Sequence, residues 1–600
     1  MDVSILPLQK IFALDVQFRV PLYQRPYVWD RDRQWMPLWE DVTSLAEGYL
    51  DDGTHISHHF LGAVVVRQRP NPVGTLEVRD VIDGQQRLTT LQLLADAVEE
   101  VIREQEGPVR ESKKLRKLVL NDIDLFTEDE QFKIWPTNAD QPVFRHAMTD
   151  EKSVPEDLVD KPIAKAHAYF KSQARDWALE PDSAHTVEER FGALVMAISH
   201  GVHLVVIDLE EDDNAQAIFE TLNARGTPLL ASDLVKNHML HEAQAQALDV
   251  EELHRDHWRD LEADWWREEI TLGRVRWPRL DAFLFYWLSM NFAREVSTQR
   301  LFDEYRKFVS DGQLAVLDVA DNLSRFSGVF EELESGSFDG LRLAEFFYRW
   351  EVSQLRVMTP LLLWLFSDDA EISDRDRVQS LELLESWFMR RMICGRTTRG
   401  YQNFLHPLLR EVKKHSGGGV PAAISATLSQ AEAQNTAWPT DGDVRESVRS
   451  RPLYLQLSRA RLRMVLEAIE DRLSSSDGKS ELLCPKDLTI EHLLPVGWSE
   501  EDWPLQGSEL SRDERWIRLH TLGNLTLAND KLNPAMSNSA WTLKRSELGK
   551  HSNLHLNKML SNRDAVPDGH QWFDTWDDNT IVERSDWLAE QICTIWKRTD

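Results

Sequence analysis

Strands and helices alternate along the N-terminal part of the chain. Alternating apolar residues predict β-strands over Phe60–Arg67, Leu76–Ile82 and His203–Leu209. A helical pattern over about Gln85–Ile102 follows the second strand, and another helix follows the third. Strands mixed with helices in this way predict an α/β or α+β domain over residues 1–240.

The middle of the chain has a different period. From about His241 to Leu473, apolar residues recur mainly at spacings of three and four, which predicts a helical domain over residues 241–473. A polar, flexible stretch, Ser474–Lys479, then marks a boundary before a C-terminal domain over residues 474–600. The predicted fold class is α+β multidomain, with an α/β N-terminal domain, a helical middle region and a small C-terminal domain.

The composition describes a folded protein. Of its 600 residues 42% are apolar, with 22 Trp and 23 Phe, a profile far from that of a disordered chain. The three cysteines are widely separated and offer neither a disulfide framework nor a paired zinc motif. The longest apolar runs are far shorter than a membrane span. We therefore expect a soluble, cytoplasmic protein with no membrane partner.

The charge balance limits how the protein can bind nucleic acid. A net charge of −31 argues against a protein that coats nucleic acid without specificity, because phosphate binding depends on clustered Lys and Arg. Any contact with DNA must therefore be local. Acidity that only aids solubility is the competing interpretation.

Several short motifs follow one another closely near the C-terminus. The motifs are TIEHLLP at Thr489–Pro495, HTLGNLTL at His520–Leu527, Lys531-Leu532-Asn533, Ser537-Asn538, and then Trp541 and Lys544. Together they resemble the HNH, or ββα-metal, nuclease pattern. More closely, they resemble the C-terminal nuclease half of the GmrSD-type modification-dependent (type IV) restriction endonucleases. The resemblance covers roughly residues 488–548.

The chemistry of phosphodiester hydrolysis explains these residue types. His492, at the end of a strand-like segment, can act as general base, because a neutral imidazole accepts a proton from water near neutral pH. Glu491 and Asn533 offer oxygen ligands suited to Mg²⁺ or Mn²⁺. Asn524 is predicted to brace the loop and orient His492. His520 and Lys544 are predicted DNA contacts, with a catalytic or loop-holding role for His520 as the alternative.

Each motif also has an ordinary structural explanation. An isolated Glu-His pair is usually a surface pair, and Gly523-Asn524 is usually a turn. The order of all the motifs together favours the nuclease. Only Cys484 lies near them, so we expect no structural zinc.

Motifs in the first 240 residues resemble the ParB-like N-terminal domain of the same enzymes. They are YQRPYVW at Tyr23–Trp29, FLG at Phe60–Gly62, VIDGQQRLTTL at Val81–Leu91, KIWPTNADQPVF at Lys133–Phe144 and IFETLNARGTPLLASDLVKN at Ile218–Asn237. The resemblance implies nucleotide binding and hydrolysis in this half, together with the sensing of DNA modification.

The segment DGQQR is the predicted phosphate cradle. It stands where a strand turns into a helix, and free N–H groups at a helix N-terminus favour phosphate. The predicted nucleotide-binding residues are Gln24, Arg25, Asp83, Gly84, Gln85, Gln86 and Arg87, with Asp83 also a candidate to bind a metal or polarise water. The aromatic residues Tyr23, Tyr27 and Trp29 are candidates to stack on a base. An Asp-Gly turn that caps an amphipathic helix is the alternative, and no GxxxxGK[ST] loop is present.

A group of four arginines and one arginine elsewhere are further candidates for phosphate contacts. Arg390, Arg391, Arg396 and Arg399 stand without any acid in the segment Trp387–Gly400 of this acidic chain. They predict either a DNA-backbone contact, which is favoured slightly, or an internal brace. Arg225 and Gly226 are consistent with phosphate binding or with a simple helix end.

The resemblance implies an antiphage, modification-dependent endonuclease with Mg²⁺ or Mn²⁺ and a nucleoside triphosphate, GTP or another, as cofactors, and with double-stranded DNA as partner. Two rivals stay open. One is a nucleotide-gated DNA clamp whose HNH fold is only structural, and the other is a plain HNH nuclease with a passive DNA-reading N-domain. The sequence leaves open which nucleotide binds, which DNA modification is recognised, and whether one strand or both are cut. It also leaves open the oligomeric state, with a homo-oligomer as one option.

Overall fold

The protein divides into two compact units, Met1–Arg259 and Asp260–Asp600. The computed structural model describes residues 2–21, 24–53, 55–70, 75–122, 129–149, 155–210, 230–272, 275–336, 338, 340–476, 483–505, 511–532, 536 and 538–599. The predicted domain boundaries at residues 240 and 473 stay predictions.

The first unit is built on a six-stranded mixed sheet. Its strands are β1 (Asp2–Pro7), β2 (Val16–Arg19), β3 (His59–Gln68), β4 (Glu77–Asp83), β5 (Ile134–Trp135) and β6 (Val202–Leu209). Their order across the sheet is β1-β6-β3-β4-β2-β5. The β6–β3, β4–β2 and β2–β5 pairs are parallel, whereas β1–β6 and β3–β4 are antiparallel. The three strands predicted from alternation, now β3, β4 and β6, are confirmed.

Helices cover this sheet because its central strands are apolar on both faces. Val64 and Val66 of β3 belong to the main core, whereas Val65 packs with Ile82 and Leu209 in a separate cluster. The helices of the unit are α1 (Leu8–Ile11), α2 (Met36–Asp52), α3 (Gln85–Glu104), α4 (Val109–Val119), α5 (Gln141–Ala147), α6 (Pro162–Ala178), α7 (Val187–Met196), α8 (Ala231–Ala245) and α9 (Val250–His257). Helix α3, predicted from Gln85 onward, is buried on nearly every side.

The second unit is mainly helical, as predicted for its larger part. Its helices are α10 (Asp264–Arg267), α11 (Arg279–Phe292), α12 (Leu301–Gly312), α13 (Val316–Ser335), α14 (Leu341–Ser353), α15 (Thr359–Phe366), α16 (Asp374–Ile393), α17 (Tyr401–Lys413), α18 (Val420–Ser429), α19 (Asp441–Ser450), α20 (Leu453–Gln456), α21 (Arg459–Ser476), α22 (Arg512–Leu519), α23 (Trp541–His551), α24 (His555–Ser561) and α25 (Asp578–Ile595). None of the helices in the described part of the chain combines the length and apolar character that a membrane span requires.

Two short antiparallel strand pairs interrupt these helices. The pair β7 (Glu269–Leu272) and β8 (Val275–Pro278) was not predicted from the helical period of the middle region. The pair β9 (Thr489–His492) and β10 (Leu525–Ala528) carries the C-terminal motifs. Helix α21 continues to Ser476, so the first three serines of the predicted flexible stretch are helical.

Candidate functional site

The strand pair β9–β10 places the Glu-His motif at a strand end. His492 is the last residue of β9 and lies opposite Leu525, and Glu491 lies opposite Thr526. The four residues of β10 are all buried, which anchors the pair in the core of the unit. The His492 side chain is 8% exposed and Glu491 is half-buried. The predicted strand-like entry to His492 is thus confirmed.

Asn524 fixes the chain immediately after His492. This side chain is fully buried in a short helical turn, Leu522–Asn524, that leads into β10. Asn524 Oδ1 accepts hydrogen bonds from Leu494 N (2.8 Å) and Trp576 Nε1 (3.2 Å). Asn524 Nδ2 donates to Leu494 O (2.8 Å) and Leu519 O (2.9 Å). These are the contacts of a residue that braces the loop, which is the role predicted for it.

His520 lies directly against His492. The distance between His492 Nε2 and His520 Nδ1 is 3.2 Å, and both rings are buried. Tyr454 meets His492 edge-on at 4.3 Å between ring centroids and stacks on His520. Since His520 is only 3% exposed, these contacts favour a role beside His492 over the predicted DNA contact.

Lys544 is buried beneath the same strand end. Its Nζ donates to the carbonyl oxygen of His492 (2.8 Å), and the side chain is fully buried. Burial lowers the pKa of Lys544 to about 8, against the opposing effect of the Glu491 carboxylate. A fully buried ammonium is not presented to a DNA backbone, so the structure favours a positioning role for Lys544 over the predicted DNA contact.

Burial also keeps the His492 imidazole neutral. It lowers the pKa of His492 to about 3, and the neighbouring basic groups of His520, Lys544 and Arg459 act in the same direction. Burial raises the pKa of Glu491, while Lys544 and the His492 N–H act in the opposite direction. A neutral imidazole is a suitable base for a water molecule, and Glu491, the predicted cation ligand, is the preceding residue of the same strand.

Sequence reasoning did not identify Tyr454 and Arg459. Arg459, the exposed first residue of α21, lies over the Tyr454 ring at 3.4 Å from its centroid and adds positive charge beside both histidines. The arginines at 459, 461 and 463 in so acidic a chain are the signal that could have indicated it. Tyr454 stands alone in the sequence and carries no such signal.

The donor set at Glu491 suits a hard cation. Mg²⁺ keeps several waters and needs only one or two protein oxygens, so the half-buried Glu491 carboxylate with one amide oxygen fits it. Asn533, the predicted second ligand, and Ser537 lie outside the described residues. Within the described part of the chain, no three His, Cys, Asp or Glu side chains group as a metal site, so the ligand role of Glu491 stays a prediction.

The arginine-rich segment divides into a fully buried pair and a pair that is less buried. Arg390 and Arg391 are fully buried on α16. They donate to the carbonyl oxygens of Trp596, Pro439, Ala437, Asn435 and Thr397, and Arg390 also pairs with Asp441 at 2.8 Å. Their burial favours the alternative of an internal brace over the predicted DNA contact. Arg396 is half-buried near Asp443 (3.5 Å), and Arg399 is exposed, so these two keep the DNA prediction.

In the first unit, DGQQR is the predicted strand-to-helix junction. Asp83 ends β4, and Gly84 precedes α3 with φ of +91°, where a Cβ would lie 2.5 Å from Val64 Cγ1. Only glycine fits this turn without strain. No side chain caps the first turn of α3, and Arg87 is half-buried, with Nη1 donating to Ala63 O (2.9 Å).

The side chains of the three predicted glutamines are hydrogen-bonded to the protein backbone. Their bonds are Gln24 Nε2 to Ile82 O (2.8 Å), Gln85 Nε2 to Arg25 O (2.9 Å), Gln86 Nε2 to Pro26 O (3.1 Å) and Val28 N to Gln86 Oε1 (2.9 Å). These bonds fasten residues 24–28 to the end of β4 and the start of α3. The structure therefore favours a positioning role for the glutamines over direct contact with phosphate or water.

The aromatic residues of YQRPYVW do not form a stacking platform in the described part of the chain. Tyr27 is 4% exposed, and its hydroxyl bonds Thr90 Oγ1 (2.7 Å) and Trp35 Nε1 (2.9 Å), so it belongs to the core. Trp29 packs against that core. Tyr23, Arg225 and Gly226 lie outside the described residues. Arg25 is half-buried, and its side chain keeps the predicted role.

Two family models match the chain, and between them they cover most of it. The N-terminal domain of the GmrSD restriction endonuclease matches residues 8–240, which include the Asp83 junction. The C-terminal domain of the GmrSD restriction endonucleases matches residues 438–591, which include His492 and Tyr454. No curated protein matches the chain.

The two domains define the class of protein as a multidomain DNA endonuclease of phage defence, with DNA as its partner. The chain belongs to the GmrSD restriction endonuclease family. The resemblance found in the sequence is confirmed by both matches, and so is the α+β multidomain fold class.

Proposed function

We propose that the chain is a nucleotide-regulated, divalent-metal-dependent endonuclease that recognises modified DNA. The setting of His492 carries the nuclease part of the proposal. The imidazole ends β9 one residue after Glu491, is kept neutral by burial, and contacts His520 through Nε2. A neutral base next to an oxygen ligand is what the hydrolysis of a phosphodiester by an activated water requires.

Each residue of the site has a distinct part in this proposal. His492 accepts the proton of the attacking water, while Glu491 and Asn533 hold Mg²⁺ or Mn²⁺. A cation held there would supply positive charge for the phosphate and for the departing 3′ oxygen. Lys544 holds the His492 carbonyl, and Asn524 holds the backbone of Leu494 two residues later.

The nucleotide part of the proposal depends on the Asp83–Arg87 junction. The uncapped start of a 20-residue helix favours a phosphate group, and Arg87 adds a cation at the first turn. Residues 24–28 are fastened over that same turn, which keeps the Arg25 backbone 2.9 Å from the Gln85 amide. Asp83 is the candidate to bind the metal of a nucleoside triphosphate, GTP or another.

A cleavage panel tests the function as a whole. The full chain is incubated with unmodified DNA and with DNAs carrying methylated, hydroxymethylated, glucosylated or phosphorothioate groups, with Mg²⁺ or Mn²⁺ and with each nucleoside triphosphate. We expect one class of modified DNA to be cut, chelation of the cation to stop cutting, and one nucleotide to change the rate. Equal cutting of all DNAs would remove modification sensing from the proposal, and indifference to every nucleotide would remove the regulation.

Replacing Arg87 with alanine tests the nucleotide site. A charge-assisted hydrogen bond is worth about 1.5–3 kcal/mol, so we expect the nucleotide Kd to rise about 10- to 100-fold. The measurement is binding of the triphosphate to the full chain, followed by its hydrolysis rate. Arg110→Ala, an exposed arginine of α4, is the matched control and leaves both unchanged. If the wild type neither binds nor hydrolyses a triphosphate, the rival with a passive DNA-reading N-domain is correct.

A further inference from the structure

The two imidazoles at the candidate nuclease site are hydrogen-bonded to each other. His492 Nε2 and His520 Nδ1 are 3.2 Å apart, with exposed fractions of 8% and 3% for the two residues. A hydrogen bond between two neutral imidazoles needs a proton on one nitrogen and a bare lone pair on the other. The contact therefore couples the tautomer of His492 to the tautomer of His520.

Only one of the two arrangements leaves His492 able to act as a base. If His492 Nε2 donates the bond, Nδ1 of the same ring is bare and can accept a proton from water. If His520 Nδ1 donates instead, His492 Nε2 accepts that bond and His492 Nδ1 carries the ring proton. In that second arrangement neither nitrogen of His492 is free to take a proton.

We infer that His520 is a positioning residue whose bare Nδ1 accepts the His492 Nε2–H bond and so holds His492 in the tautomer with a basic Nδ1. The inference rests on the proposed function of His492 as general base. A group that holds a catalytic imidazole in one tautomer changes the rate without touching the substrate. His520 does this with a second imidazole.

The surroundings of His520 keep its ring in one place. Tyr454 stacks on it with 5.5 Å between ring centroids, and Trp516 meets it edge-on at 4.6 Å. The backbone N–H of Tyr454 donates to the carbonyl oxygen of His520 (3.1 Å). Because the ring is held on two sides and its backbone is tied to α20, Nδ1 stays directed at His492.

The other nitrogen of His520 argues against a purely structural role. His520 Nε2 is buried and has no hydrogen-bond partner within the described part of the chain. A buried polar nitrogen without a partner is unfavourable, and an apolar side chain would fill the same space without that cost. In the inferred tautomer this Nε2 carries the ring proton of His520, so the imidazole keeps an unpartnered N–H, and what it gains over an apolar side chain is the contact of Nδ1 with His492.

Three substitutions at one position separate the two nitrogens. His520→Ala in the full chain is expected to lower kcat about 10- to 100-fold with little change in KM, as for other residues that orient a ligand or base. His520→Asn ends in an amide at the level of Nδ1, so its oxygen can accept the His492 bond and restore most of the rate. His520→Gln reaches the level of Nε2 instead and stays as slow as His520→Ala.

Equal rescue by Asn and Gln, or wild-type kcat in His520→Ala, would overturn the inference. A second measurement does not need a cleavable DNA: ring ¹⁵N NMR of the histidine-labelled full chain, with His492→Ala to assign the signal. We expect His492 as the Nε2–H tautomer in the wild type and a mixture in His520→Ala. A proton on His492 Nδ1 in the wild type overturns the inference, whereas the expected tautomer without any DNA cleavage refutes only the proposed function.

Discussion

Replacing His492 with alanine is expected to reduce DNA cleavage about 10²- to 10⁴-fold, the range that one general base contributes. In the proposed site His492 is the group that takes the proton from the attacking water. The two neighbouring basic side chains do not replace it, because Lys544 donates to a backbone carbonyl and His520 acts through His492. The measurement is the single-turnover cleavage rate of the full chain on the DNA that the wild type cuts best.

A matched histidine outside the site controls for this substitution. His551 lies at the end of α23, near the Glu547 carboxylate at 3.3 Å, and its side chain is 38% exposed. His551→Ala should therefore cut DNA at the wild-type rate. If His492→Ala also does so in purified form, His492 is not the base, and the clamp hypothesis with a structural HNH fold replaces the proposal.

Local patterns predicted the parts of the fold that depend on neighbouring residues. The strand β3, the strand β4 and the helix α3 follow from alternation, a turn and a helical period within one stretch of sequence. The strand entry to His492 follows likewise from the TIEH segment. The bracing role of Asn524 was predicted from its place in the motif, and its four buried hydrogen bonds agree with that role.

Long-range contacts decided the roles that the sequence did not reveal. Arg390 was a predicted DNA contact because the segment Trp387–Gly400 contains no acid, yet its guanidinium binds a carbonyl oxygen 206 residues away. Tyr454 reaches His492 and His520 from a separate short helix, so no spacing within a motif could indicate it. The glutamines of DGQQR match a phosphate cradle in residue type. Their hydrogen-bond partners are backbone oxygens of residues 25 and 26, which reach the start of α3 only in the folded chain.

Replacing Asn524 with alanine is the second substitution with a large expected effect. It leaves Leu494 N and O, Leu519 O and the Trp576 indole without their partner in a fully buried place. Each unsatisfied buried group costs about 1–3 kcal/mol, and a broken buried network gives the largest single-residue losses, so we expect about 3–5 kcal/mol. The measurement is the urea midpoint for unfolding of the second unit in the full chain, monitored by Trp fluorescence.

Two companion variants make this expectation specific to the amide. Asn524→Asp keeps the acceptor oxygens but buries a carboxylate against the carbonyl oxygens of Leu494 and Leu519, so its midpoint should lie no higher than that of Asn524→Ala. The control is Asn562→Ala. Asn562 is exposed and caps a short turn by accepting one bond from Asp564 N, so its removal should change the midpoint little. Because Asn524 holds Leu494 two residues after His492, Asn524→Ala should also lose cleavage at urea concentrations where it is still folded. Stability equal to that of Asn562→Ala would mean that the Asn524 network does not hold the loop that follows the base.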